Sequence, residues 1–187
     1  IVAACMGIAV LAGHAQTREF VPIDVRGRVS LEIPADWSIN DAARRKAISD
    51  KTSTDMGFTD NHVAAFAAQS YPRPSRVLVR VSILPLDPPI TQAEMRQEVA
   101  TNRQGLLRSL HDMWAEESPT MWAGLAKNGV REVGKARLAV EPLGGMQAML
   151  IEYGRTDLKP GETMLVTQYH VVLGYEKALI TLSRIAE

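Results

Sequence analysis

MQAMLIEYGRTDLKPGETMLVTQYHVVLGYEKALITLSRIA, residues 146 to 186, decides the fold class. It reads as strand after strand: MQAMLIEYGR, MLVTQYHVVL and ALITLSRIA are separated by Asp157 to Gly161 and by Gly174 to Lys177. A further strand, VREVGKARLAV at 130 to 140, comes before them across Pro142 to Gly145. Separations this short suit hairpins, so the C-terminal third is expected to be an antiparallel meander.

The strongest local signal lies just upstream of these strands. Thr91 with Glu94 three residues on forms a capping box, and Ile90 with Met95 stands at the positions of a hydrophobic staple, so a helix should start at Thr91. Met95, Val99, Leu106, Leu110 and Met113 share one stripe of that helix, leaving Arg96, Gln97, Arg103 and Arg108 outward. The helix should run to about Glu116. Ser118 before Pro119 offers a new N-cap, and Asn128 with Gly129 a C-cap, which predicts a second helix after a bend.

The first third adds more strands. FVPIDV and RVSLEI flank Arg26 and Gly27, and Pro34 to Asp36 turn the chain into Trp37, expected to cover the sheet end where a helix begins. Asn40 or Asp41 can cap a short helix through Ala42 to Ile48, followed by a polar loop, DKTSTDMGFTDN. Strands are expected near 62 to 70 and 76 to 84. In the second, Val77, Val79, Val81 and Ile83 alternate with the more polar face of Leu78, Arg80, Ser82 and Leu84, and Pro85 to Pro89 should stop it. Strands, helices and strands again, without regular alternation, predict an α+β fold: an antiparallel β-sheet flanked by helices, with a long bent helical segment in mid-chain.

Size and charge bound the rest. A chain of 187 residues with 46% hydrophobic and 22% charged residues supports one core, so 16 to 187 is expected to be a single domain. Lys plus Arg and Asp plus Glu are 21 each, so no global field favours nucleic acid or an anionic membrane.

Residues 1 to 17, IVAACMGIAVLAGHAQT, carry no Lys, Arg, Asp or Glu and place Gly13 and Ala15 at the small positions of a cleavage site. Residues 1 to 15 therefore read as the C-terminal part of a signal peptide, and the domain as periplasmic or secreted. Two rivals are lipidation of Cys5 after Val2, Ala3 and Ala4, and a retained N-terminal anchor as the only contact with a membrane. Cleavage after Ala15 leaves no cysteine, and hence no disulfide.

Chemical motifs are sparse. Gly129, Gly134 and Lys135 match the spacing of a phosphate loop, but position 136 is Ala where magnesium needs Ser or Thr, and the segment leaves a helix and enters a strand. His62, His111 and His170 lie in three elements with no zinc-binding spacing, and Asp50, Asp55 and Asp60 are too far apart for a calcium loop. Asp112, Glu116 and Glu117 suit a solvated helix face. No nucleophile elbow is present. No catalytic residue, cofactor or metal is expected. Trp114, Met121 and Trp122 bracket the expected bend; packed inward they are core edge, and exposed they are the candidates for ligand or partner contact.

LEIPADWSI, the long mid-chain helix, and PLGGMQAMLIEYG with MLVTQYHVVLGYEKALITLS together resemble the PsbP-like or DcrB-like superfamily over most of residues 20 to 187. The resemblance implies an antiparallel sheet flanked by helices and a role in binding other proteins, with no shared catalytic residue. A non-catalytic exported domain that binds or scaffolds an envelope protein is the expected function. The alternatives are a small-molecule or lipid carrier with a pocket between sheet and helices, and an undetected hydrolase.

Overall fold

Val79 and Val81 are buried on one face of a sheet, while Arg80 and Ser82 between them face the other, so the two faces meet different partners. The computed structural model describes residues 19–56, 62–70, 77–156 and 161–186. The expected signal peptide, Cys5 and Asp60 lie outside these residues. Among the described residues no helix is long and apolar enough to cross a membrane.

The chain order is β1 (Phe20–Val25), β2 (Val29–Pro34), β3 (Ser38–Ile39), α1 (Ala42–Met56), β4 (Phe66–Gln69) and β5 (Val77–Ile90). Then come α2 (Gln92–Ala126), β6 (Glu132–Leu143), β7 (Met146–Thr156), β8 (Thr163–Val172) and β9 (Gly174–Ile185). The fold is α+β. β1 and β2 form a two-stranded sheet, and the other strands form a seven-stranded sheet in the order β3-β4-β5-β9-β8-β7-β6. Every pairing is antiparallel. The last four strands are the expected meander, and it continues because β9 returns beside β5.

Local chemistry explains the turns. Gly144 and Gly145 have φ of 56° and 79°, the left-handed pair that a two-residue hairpin between twisted strands requires. Trp37 N–H donates to the Pro34 carbonyl at 3.0 Å, closing the turn read from the sequence. Asp41 is the cap of α1, its carboxylate accepting from Arg44 N–H at 2.7 Å.

Four expectations of extent need correction. α1 continues to Met56 through the start of the expected polar loop. Its residues carry no apolar period to advertise a helix, and a Lys46 to Asp50 ion pair at i,i+4 supports that face instead. The strand expected over 62 to 70 is only Phe66–Gln69. β5 does not stop at Pro85 but reaches Ile90, through an irregularity between those residues. This is possible because β4 pairs only as far as Val81, so the prolines beyond it need no donor on that side. β9 starts at Gly174, where a positive φ of 84° makes the reversal, leaving only Leu173 between it and β8.

The long helix is also bent elsewhere than expected. α2 is continuous across Ser118 and Pro119, and its non-helical residue is Asn102, at φ −143° and ψ 36°. The Asn102 side chain donates to Glu98 at 2.6 Å and lies over Gly105, where any Cβ would collide with it. The capping box is present: Thr91 N–H donates to the Glu94 carboxylate at 2.7 Å and Glu94 N–H to the Thr91 hydroxyl at 3.2 Å. That backbone hydrogen bond holds the Glu94 carboxyl below its ordinary range. The C-terminal end closes with Gly129 at φ 75°.

Two layers cover the two faces of the large sheet. On one, Val25, Val29 and Ile33 of the β1-β2 hairpin pack with Phe66, Val79 and Ala178, and half-buried Trp37 packs against this cluster. On the other, Met95 and Leu110 of α2 pack on Val140, Ile151 and Val166. The predicted stripe of α2 is the face that packs.

Candidate functional site

Strand registers set out the α2 face of the sheet as rows. One row runs Ala67, Arg80, Thr181, Gln168, Ile151 and Leu138; the next runs Ser82, Leu179, His170, Met149 and Val140. The β5, β9 and β8 half of these rows is largely polar, and the β7 and β6 half is apolar. An apolar helix surface is stable only over the second half.

α2 sits accordingly over β6 and β7. Polar tethers hold it there: the Gln92 amide donates to the carbonyls of Gln147 at 3.1 Å and Val172 at 3.0 Å, and accepts from Gln147 N–H at 3.0 Å. The Arg103 guanidinium donates to the Val140 carbonyl at 2.7 Å. Trp114 and Trp122 both meet the buried ring of Tyr153, with centroids 5.4 Å and 5.5 Å away.

The polar half of the face is left as the floor of a cleft of about 690 Å³ between the sheet, α1 and α2. This lies within the range of small-molecule sites. Arg80, Ser82, Gln168 and His170 line it from the sheet, Trp114 and Met121 from α2, and Ser49 and Ser53 from α1. Glu116 and Glu117 lie at its exposed lip.

Among the described residues one floor group lacks a partner: the His170 Nε2 is buried without a hydrogen bond. The Thr181 hydroxyl, on Arg80's neighbour across the strands, is also buried without one, although Thr181 does not line the cleft. Burial, then the charge of Lys177, pushes the His170 imidazole down to about 4, so it is neutral at pH 7. Burial raises the Tyr153 phenol, against the opposing influence of Arg155 and Arg80. Arg80 is half-buried, and burial lowers its guanidinium from the ordinary value. Among the described residues no carboxylate forms an ion pair with it.

The sequence candidates divide here. Trp114, Met121 and Trp122 are all half-buried and pack against one cluster with Ile151 and Tyr153; Trp114 and Met121 also line the cleft, and Trp122 does not. His62 and His170 both line the cleft, and His111 stays exposed on α2. Among the described residues no three potential ligands gather into a metal site. Trp37 borders a separate, smaller depression of about 360 Å³ on the hairpin face, with Leu143, Tyr169 and Ile180.

Sequence reasoning missed Arg80, Gln168, His170 and Thr181 as a group. The polar alternation of β5 was a signal for Arg80 and Ser82, but only strand register brings the others beside them. The chain matches no family model and no curated protein.

Proposed function

We propose that this is a non-catalytic binding domain that holds a small molecule in the cleft between its sheet and helices. One observation carries this reading: the polar half of the sheet face lies under an open cleft, not under packed side chains, and keeps the buried Nε2 of the lining residue His170 unpaired. Such an atom costs about 1 to 3 kcal/mol when left unsatisfied, and a bound ligand is one way to recover that cost. Trp114, Met121 and Leu125 give the same ligand an apolar wall. A carrier of this kind fits the exported, periplasmic setting proposed for the chain.

Native mass spectrometry of the protein purified from a cell envelope tests the reading. A small molecule should copurify, and Thr120→Trp, an exposed helix position on the cleft wall, should abolish it without loss of melting temperature. A ligand-free protein that also binds nothing in a metabolite and lipid screen would sink the proposal.

Docking on an envelope protein, as the PsbP-like or DcrB-like resemblance implies, is the second reading. Its contact residue would be Tyr175, 78% exposed beside the reversal at Gly174. Reproducible crosslinking of one envelope protein, abolished in Tyr175→Ser, would make this the better account.

A further inference from the structure

We infer that the cleft selects a monoanionic amphiphile, its acidic head on Arg80 and its apolar chain along Trp114 and Met121 of α2. The inference rests on the binding reading above and adds the chemical class of the ligand.

The head position follows from the charges. Arg80 stands on β5 between Ala67 and Thr181, inside the sheet rather than at its rim. It reaches the cleft floor, yet no carboxylate among the described residues pairs with it. A desolvated guanidinium without an anion is costly, and replacing such a group by an apolar one is commonly neutral or stabilising. Its fork of donors matches a carboxylate or another oxyanion in two-point contact. The Gln168 amide, one residue across Thr181 in the same row, can bond the second oxygen of such a head.

The order of charge favours one negative group entering first. The deeper cations, Arg80 and Arg155, belong to sheet strands, whereas the carboxylates of Glu116 and Glu117 are exposed on α2 at the mouth. Those lip carboxylates repel a second anionic group. Beyond Arg80, the walls turn apolar through Leu84, Leu179, Ile151 and Leu125, where an uncharged chain gains the hydrophobic free energy of burial.

The test uses the full chain and three probes of equal chain length, each below its micelle concentration or solubility limit: dodecanoate, dodecanol and dodecyltrimethylammonium. Binding is read by intrinsic tryptophan fluorescence and by calorimetry. Dodecanoate should bind at least about tenfold more tightly than dodecanol, and the cation should not compete. Arg80→Met should erase that preference while leaving dodecanol binding in place, and Arg80→Lys should keep part of it. Circular dichroism and melting temperature establish that both variants fold.

Equal affinity of acid and alcohol, or an acid preference that survives in Arg80→Met, would overturn the inference and leave the cleft reading standing. Binding of all three probes that persists in Thr120→Trp would instead place them outside the cleft and remove both. A preference erased in Arg80→Met and binding abolished in Thr120→Trp together support the assignment.

Discussion

The indole of Trp122 meets the phenol ring of Tyr153 edge-on, with centroids 5.5 Å apart and planes at 86°. Trp114 lies on the same ring at 5.4 Å and 31°. The aromatic pair singled out in the sequence is thus fixed by one buried tyrosine of β7. Both members pack on the same cluster, and Trp114 alone of the two also lines the cleft.

Truncating the member that does not line the cleft should therefore act on stability. Trp122→Ala is expected to cost roughly 2 to 4 kcal/mol, because a half-buried indole and its edge-on stacking against Tyr153 are both removed. Trp122→Phe should cost less than half as much. Urea unfolding monitored by circular dichroism measures both, and an unchanged midpoint for Trp122→Ala would show that the ring pair carries no weight.

Gly154 faces the β6 irregularity at Val133. A Cβ at this position would come 2.6 Å from the Val133 carbonyl oxygen, a backbone atom that cannot rotate away. Gly154→Ala should cost about 1 to 3 kcal/mol as the two strands are pushed apart. Faster amide exchange near Val133, relative to β8 and β9, would localise the damage.

At the kink of α2 the Asn102 side chain is packed over Gly105. Gly105→Ala ordinarily gains about 1 kcal/mol in a helix, but here the new methyl must displace the Asn102 amide and break its bond to Glu98. The substitution should gain markedly less stability in the native background than in Asn102→Ala. A double-mutant cycle measures the difference, and additive effects would show that the Asn102 amide does not oppose the new methyl.

His170 makes stability depend on pH. Its value in the folded protein, about 4, lies below the ordinary 6.5, so between these values the unfolded chain binds more protons. The contribution is fully present above pH 6.5 and declines as pH falls from about 6.5 toward 4, by at most roughly 3 kcal/mol. His170→Gln should flatten the melting-temperature profile over that interval. A slope unchanged by the substitution would place the titration elsewhere.

Much of the scaffold was legible because local rules act within a few residues. Thr91 and Glu94 announced the start of α2, Gly144 and Gly145 a hairpin, and the alternation of Val79, Arg80, Val81 and Ser82 a two-faced strand. Expectations failed where the deciding partner was distant or the signal was polar. Pro85 stays in β5 because β4 ends earlier, α1 hides behind serines, threonines and charges, and the bend belongs to Asn102 instead of Pro119.

The sequence by itself determined the α+β class, the antiparallel meander and the face on which α2 packs, since each follows from apolar period, caps and turn residues. Only the tertiary structure decided the site. Arg80, Gln168, His170 and Thr181 lie on three strands, and β9, the last strand, has to return beside β5 before they share one surface. Periodicity records which face a residue takes, whereas the neighbour across the sheet depends on register and strand order, which no local pattern encodes.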